Sequence, residues 1–203
     1  MNTEESVITP AQALKWLKAG NLRFIQGEHT PKDYHNKIKQ TANEQRPFAA
    51  VLGCIDSRVP HEIVFDQNLG HIFSIRIAGN FADNSILGSL EFATYCAGAK
   101  IILVLGHTDC GAVKGACDNI TLGHLTQTLQ HLSPALKATT GFSESMQNSA
   151  NLAYVMQVTR YNVQLTVTKI LNESPVLREL VEKQKLMVVA GIYNTSTGKV
   201  DFL

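Results

Sequence analysis

The sequence predicts an α/β fold, a central, mostly parallel β-sheet flanked by helices, and three observations point to it. Ile101 to Leu105 is a run of five apolar residues rich in β-branched types, the pattern of a strand buried on both faces. Strand-like runs at 48–52, 71–78, 101–105 and 186–192 alternate with helix-patterned segments, the order of strands wrapped by helices on both faces of a sheet. The first three of these runs close on glycine, at Gly53, Gly79 and Gly106.

The elements follow in order. Thr9 before Pro10 supplies an N-cap and a proline for the first helical position, and Ala13, Leu14, Trp16, Leu17, Leu22, Phe24 and Ile25 continue an apolar face to Gly27. Gly20 interrupts that face, which suits two short helices. Residues 28–47 are mostly polar, contain Pro31 and Pro47, and read as a connection, so residues 1–47 are expected to form an N-terminal helical arm packing on a neighbouring subunit. Phe48 to Gly53 is the first strand, Pro60 to Phe65 a turn or two of helix, and His71 to Ala78 the second strand. Asn84 caps a helix from Ser85 to about Gly98 with Ile86, Leu87, Leu90, Phe92, Ala93 and Ala97 inward. After the central strand, a helix entered at Cys110 breaks near Asp118, Leu122 to Leu136 is helical, and 139–149 is a polar loop. A long amphipathic helix from Asn151 to Leu171, a shorter one from Pro175 to Gln184, a strand from Leu186 to Ile192 and a turn at Thr197-Gly198 into Lys199 to Phe202 complete the chain. One domain, 1–203, is expected at this length.

The chemistry gathers at two strand ends. His107 and Cys110, three apart, follow the central strand, and Cys54, Asp56 and Arg58 follow the first. If that second run stays extended, its i, i+2 and i+4 side chains share one face, which aims a thiol, a carboxylate and a guanidinium together. Doubly wound sheets bind ligands at the carboxyl ends of their strands, where all of these residues fall. Cys54, His107 and Cys110 are therefore expected to hold one zinc ion per chain. Cys117 is rejected as a fourth ligand, because seven residues of helix place it about 10 Å from Cys110. Cys96 is expected to be a small buried hydrophobe.

Composition narrows the remaining classes. With 18 basic and 17 acidic residues the formal net charge is +1, so neither nucleic acid nor a membrane surface is expected as a partner. No apolar run approaches a membrane span, and the acidic start MNTEESVITP is unlike a secretory signal, so a cytoplasmic location is expected, with cysteines reduced or bound to metal. GNFADN and GHTDCG lack the glycine spacing of a dinucleotide site.

With C-x-D-S-R at Cys54 to Arg58 and G-H-x-x-C-G at Gly106 to Gly111, the sequence resembles the β-class carbonic anhydrases, from the N-terminal helix to the closing Thr-Gly turn. The resemblance implies reversible hydration of carbon dioxide to bicarbonate and a proton by zinc-bound hydroxide in a homodimer or homotetramer. It implies Cys54, His107 and Cys110 as zinc ligands, with the fourth position open to water or taken by Asp56, and Arg58 as the partner that draws Asp56 off the metal. It further suggests Gln45, Phe73 and Phe92 as contacts of the carbon dioxide pocket, shared between subunits, and Glu91 as a carboxylate near the site. Val51 stands where another branch of the family has the tryptophan of a bicarbonate inhibitory site, and Arg76 alone would not rebuild that site, so strong inhibition of that kind is not expected.

An amide near Gly111 could receive a developing bicarbonate oxygen. His61, His71 and His124 are candidates for proton export. An Asp56 that moves between metal and Arg58 predicts activity that rises with pH. The alternatives are a zinc that only staples the fold and a hydrolase of CS2 or COS on the same zinc site.

Overall fold

The computed structural model describes residues 8–203. The first seven residues of the expected arm lie outside the described residues. The sheet contains β1 (Ala49–Gly53), β2 (Ile72–Arg76), β3 (Ile101–His107), β4 (Met187–Tyr193) and β5 (Val200–Phe202) in the order β2-β1-β3-β4-β5. The first four run parallel and β5 is antiparallel to β4. From β1 the chain passes to an edge position at β2 and then returns to the other side of β1 as β3, so β1 and β3 flank the point where connections depart in opposite directions.

Both faces of the sheet are covered, which is why β1 and β3 contain unbroken apolar runs. On one face Ala50, Leu52, Ile102 and Val104 pack against α4 (Asn84–Glu91), α8 (Leu152–Glu173) and α9 (Pro175–Glu182). On the other, Ala49, Val51, Ile101, Leu103 and Leu105 pack with Ala13 and Leu17 of α1 (Pro10–Gln26) and Val64 of α3 (His61–Val64). A third cluster joins Cys54 and Cys110 to Val113 of α5 (Gly111–Cys117), Leu129 of α6 (Gly123–Gln130), Ala135 of α7 (Ser133–Ala138) and Val155 and Val158 of α8. No helix among the described residues is long and apolar enough to cross a membrane.

Several elements depart from the sequence expectations. α1 begins as expected, with Thr9 accepting from the Gln12 amide, but runs unbroken through Gly20. Gly20 is there for close approach, because a Cβ would lie 1.8 Å from the Phe65 carbonyl oxygen. The polar connection contains α2 (Tyr34–Thr41), which buries none of its residues and so carries no strong apolar stripe in the sequence. Asp83, not Asn84, caps α4, accepting from the Ile86 amide at 2.9 Å.

α4 ends at Glu91 and a π turn, Phe92–Cys96, follows. Phe92 lies two residues beyond Leu90, about 200° around a helix from the buried stripe, and is exposed rather than inward. Cys96 is also exposed, against the expectation of burial: its side chain follows the outward face of that turn rather than the preference of its residue type. The helix expected at 122–136 is two helices, α6 and α7, because Pro134 lies in the first turn of α7 and cannot continue a helical ladder.

α1 is held to its own chain by polar contacts as well as packing. The buried Asn21 side chain donates to the carbonyls of Val64 and Gly198 at 3.2 and 2.8 Å and accepts from the Val200 amide at 2.8 Å. Asp66, whose side chain is fully buried, accepts from Arg23 at 2.6 Å, from both Thr30 groups and from Lys32. These bonds hold its carboxyl ionised against the cost of burial. The replacement Gly20→Ala should lower unfolding free energy by about 1–3 kcal/mol through overpacking, measured as a fall of roughly 2–4 °C in thermal midpoint per kcal/mol.

Candidate metal centre

The parallel register places Gly53 of β1 opposite Leu105 of β3, so the residues that follow on each strand emerge side by side, one strand spacing of about 4.8 Å apart. Cys54 follows directly on β1, and His107 ends β3 two residues later. The chain then turns through Asp109, at φ 58°, and Cys110 occupies the N-cap position of α5. The three side chains are buried and their ligand atoms lie within 4.8 Å of one another. Cys54 Sγ and Cys110 Sγ are 3.9 Å apart, a separation that suits two thiolates at about 2.3 Å from one tetrahedral ion.

The donors fit a metal by their own bonding. His107 Nδ1 is 2.9 Å from the Thr108 carbonyl oxygen, which requires Nδ1 to carry the proton and leaves the Nε2 lone pair free. Nε2 is buried and finds no hydrogen-bond partner among the described residues. The Cys110 sulfur beside it, with amides of Gly79 and Asp56 directed at the same atom, draws the Cys54 thiol well below the ordinary thiol range. The same pairing, with burial, pushes Cys110 up, while the Ala112 and Val113 amides at the start of α5 favour its thiolate. Two buried sulfurs this close favour loss of a proton from the pair, and a dication can take its place.

Asp56 and Arg58 stand beside this trio. Arg58 grips the carboxylate with both arms, Nε to Oδ1 at 3.0 Å and a terminal nitrogen to Oδ2 at 2.8 Å, while its own amide donates to Oδ1 at 2.9 Å. Asp56 Oδ2 is 3.9 Å from His107 Nε2. The guanidinium holds the Asp56 carboxyl down at about 2. Held this way by Arg58, Asp56 favours the ionised carboxylate.

The supporting residues escaped sequence reasoning. Asp109 accepts from Arg58 at 3.4 Å and pairs with Lys114, which ties the Cys54 loop to the Cys110 turn. An aspartate inside the H-T-D-C run was the available signal. Arg76 donates to the carbonyls of Cys54 at 3.0 Å and Asp56 at 2.5 Å, so its guanidinium is engaged in holding the loop. Thr108 is anchored to the end of β4 through the Tyr193 carbonyl and to Thr195 beyond it, each at 2.9 Å.

The other expected residues lie apart from this cluster. Phe73 and Phe92 stack edge-on at 6.2 Å and line a surface cavity of about 400 Å³ with Ile75, Ser85, Gly88 and Ser89. Gln45 is exposed ahead of β1, and Gly111 is exposed at the first position of α5. Glu91 accepts from Ser174 at 2.5 Å, at the junction of α8 and α9. Cys117 is buried at the end of α5, outside the trio. Of the histidines considered for proton export, His124 is exposed and His71 half-buried, whereas His61 is wholly buried, with Nδ1 2.7 Å from the hydroxyl of Ser74.

A doubly wound sheet with a sulfur, sulfur and nitrogen trio at its switch point is the frame of a metalloenzyme. The profile of the family described as carbonic anhydrase matches residues 49–200. A carbonic anhydrase of Mycolicibacterium smegmatis is 32% identical over 199 residues, covering 95% of this chain and 92% of that one. The crystal structure of the β-carbonic anhydrase CafA of Aspergillus fumigatus superposes with a TM-score of 0.74 at 26% identity, covering 95% and 89% of the two chains. A tetrameric β-carbonic anhydrase of Sordaria macrospora shares the fold, with a TM-score of 0.69 at 24% identity over 83% and 90%. The chain belongs to the β-class carbonic anhydrases, which are lyases.

Replacing Arg58 by Ala should release the Asp56 carboxyl from about 2 towards the ordinary aspartate value near 3.9. Carboxyl-carbon NMR of the metal-free protein reads the shift, and an unchanged midpoint would remove Arg58 as its cause.

Proposed function

We propose that this chain is a zinc-dependent carbonic anhydrase that interconverts carbon dioxide and bicarbonate, with the ion held by Cys54, His107 and Cys110. The observation that carries this reading is the buried, unpartnered Nε2 of His107 within 4.8 Å of two buried sulfurs that lie 3.9 Å from each other. When bound, zinc supplies Lewis acidity that lets a water act as nucleophile near neutral pH. Two thiolates balance the ion's charge and a neutral imidazole adds none, so the site carries no net charge before water enters.

The chain's own groups then orient the reaction. Asp56 Oδ2 accepts a hydrogen bond from the attacking water and turns its lone pair towards carbon dioxide. Arg58 keeps both carboxylate oxygens occupied and so holds Asp56 away from the ligand position it would otherwise close. Because Asp56 is ionised at any neutral pH, the pH response of catalysis falls to the activated water.

The substrate pocket in this reading is completed by a second copy. Phe73 is in register with Ala50, four residues before Cys54, which separates it from the metal end of the sheet by about 13 Å. Gln45 precedes the whole of β1 and is farther still. Neither reaches the metal of its own chain, whereas both lie where a neighbouring subunit could meet them, as the tetrameric state of the Sordaria protein supports. The enzyme is thus a homodimer or homotetramer of single-domain chains, in which the outward face of α1, with Trp16, Leu22 and Ile25 exposed, packs on a neighbour. The exposed free thiol of Cys96 suits a reducing compartment, the cytoplasm.

Metal analysis should find about one zinc per purified chain. The variant Cys110→Ser should lose most of it and lower hydration of carbon dioxide by more than the roughly 10–100-fold that loss of a supporting residue costs. One zinc without hydratase activity would instead favour a stapling ion or a hydrolase of CS2 or COS. Stopped-flow hydration should rise between about pH 6.5 and 9 as the water ionises, and a flat profile counts against the proposed nucleophile.

A further inference from the structure

The loop that bears Cys54, Asp56 and Arg58 leaves β1 at Gly53 and re-enters regular structure at His61, the first residue of α3. Its two ends touch. A Cβ on Gly53 would lie 2.1 Å from His61 Nε2, so the imidazole fills the space where a side chain of the strand end would be. His61 is wholly buried, its Nδ1 is 2.7 Å from Ser74 Oγ on β2, and its Nε2 has no hydrogen-bond partner among the described residues.

A buried imidazole with one nitrogen unpaired is a poor filler of space, since an apolar side chain would fill it without that cost. Either tautomer leaves Nε2 unsatisfied, so Nε2 bonding does not account for the ring. What the ring offers, and an apolar side chain does not, is a shape that fits against Gly53 together with an anchor, through Nδ1, on the neighbouring strand. Ser74 and Arg76 are two apart on β2 and so point to the same side. Ser74 holds the foot of the loop through His61, and Arg76 holds its backbone through the carbonyls of Cys54 and Asp56. β2 thereby braces the loop at two heights. Burial, with Arg76 nearby, pushes the His61 pKa down to about 3, so the ring stays neutral in this role.

We propose that His61, anchored by Ser74, is a positioning residue for the metal centre, fixing the strand end from which Cys54 projects. It touches neither substrate nor metal and acts through Gly53. The proposal rests on the reading that Cys54, His107 and Cys110 bind zinc.

The test uses the full chain and reads zinc affinity by competition with a chromophoric chelator, alongside the thermal midpoint of the metal-free protein. Ser74→Ala and His61→Leu should each weaken zinc binding by about 10-fold, at the low end of what loss of a ligand-orienting residue costs. The double variant should be no weaker than the worse single one, because the two residues act as one unit. Ser74→Thr, which keeps the hydroxyl, should retain wild-type affinity.

If the wild type takes up zinc and both single variants bind it equally tightly, the proposal fails, whatever happens to the thermal midpoint. Losses that multiply in the double variant would also overturn the pairing. A wild type that takes up no zinc would bring down the metal reading itself and this proposal with it, so the two failures are told apart by the unmutated chain.

Discussion

The parallel pairing of β1 with β3 is the constraint on which the rest of the molecule depends. Register in a buried sheet is set by side chains that must face one core or the other, and a slip by one residue would turn every one of them round. Here Ala50, Leu52, Ile102 and Val104 share one core, and Ala49, Val51, Ile101, Leu103 and Leu105 the other. The same alternation that packs two faces therefore also decides that Cys54 leaves its strand beside Gly106 and His107. The geometry of the candidate metal centre is inherited from the hydrophobic pattern of residues outside it.

Around that junction the polar groups are arranged in a chain of opposite charges. Lys114 holds Asp109, Asp109 and Asp56 hold Arg58, and Arg76 secures the backbone under both Cys54 and Asp56. Exposed ion pairs of this kind add little to stability one at a time. Their value here is geometric, because two loops from different parts of the sequence are joined at one carboxylate and its guanidinium.

Much of this was legible in the sequence, and what was missed has physical reasons. The clustering of Cys54, His107 and Cys110 could be read because their residue types are chemically distinctive and each follows an unambiguous strand. Strand β3 could be read because five consecutive apolar residues between a lysine and a glycine leave few other choices. Helix α2 was hidden because Tyr34–Thr41 is polar apart from Tyr34 and Ile38, and two apolar residues four apart are too few to mark a helix. Phe92 and Cys96 were misplaced because residue type suggested burial, whereas their angular position after Leu90 and in the π turn turns them outward. The roles of Arg76 and of the His61–Ser74 pair depend on which strand lies beside which, and pairing across 13 and 22 residues leaves no local trace.

Asn21 carries a consequence for how the molecule is made. Its amide bridges α1 to α3 and to the hairpin that closes the chain, with partners 43, 177 and 179 residues away. During synthesis the segment containing Gly198 and Val200 follows Asn21 by 177 residues or more, so two of these three bonds can form only after the strands that cover the apolar side of α1 have been made. The polar lock on α1 is thus a late event, set on a helix whose apolar partners are already present.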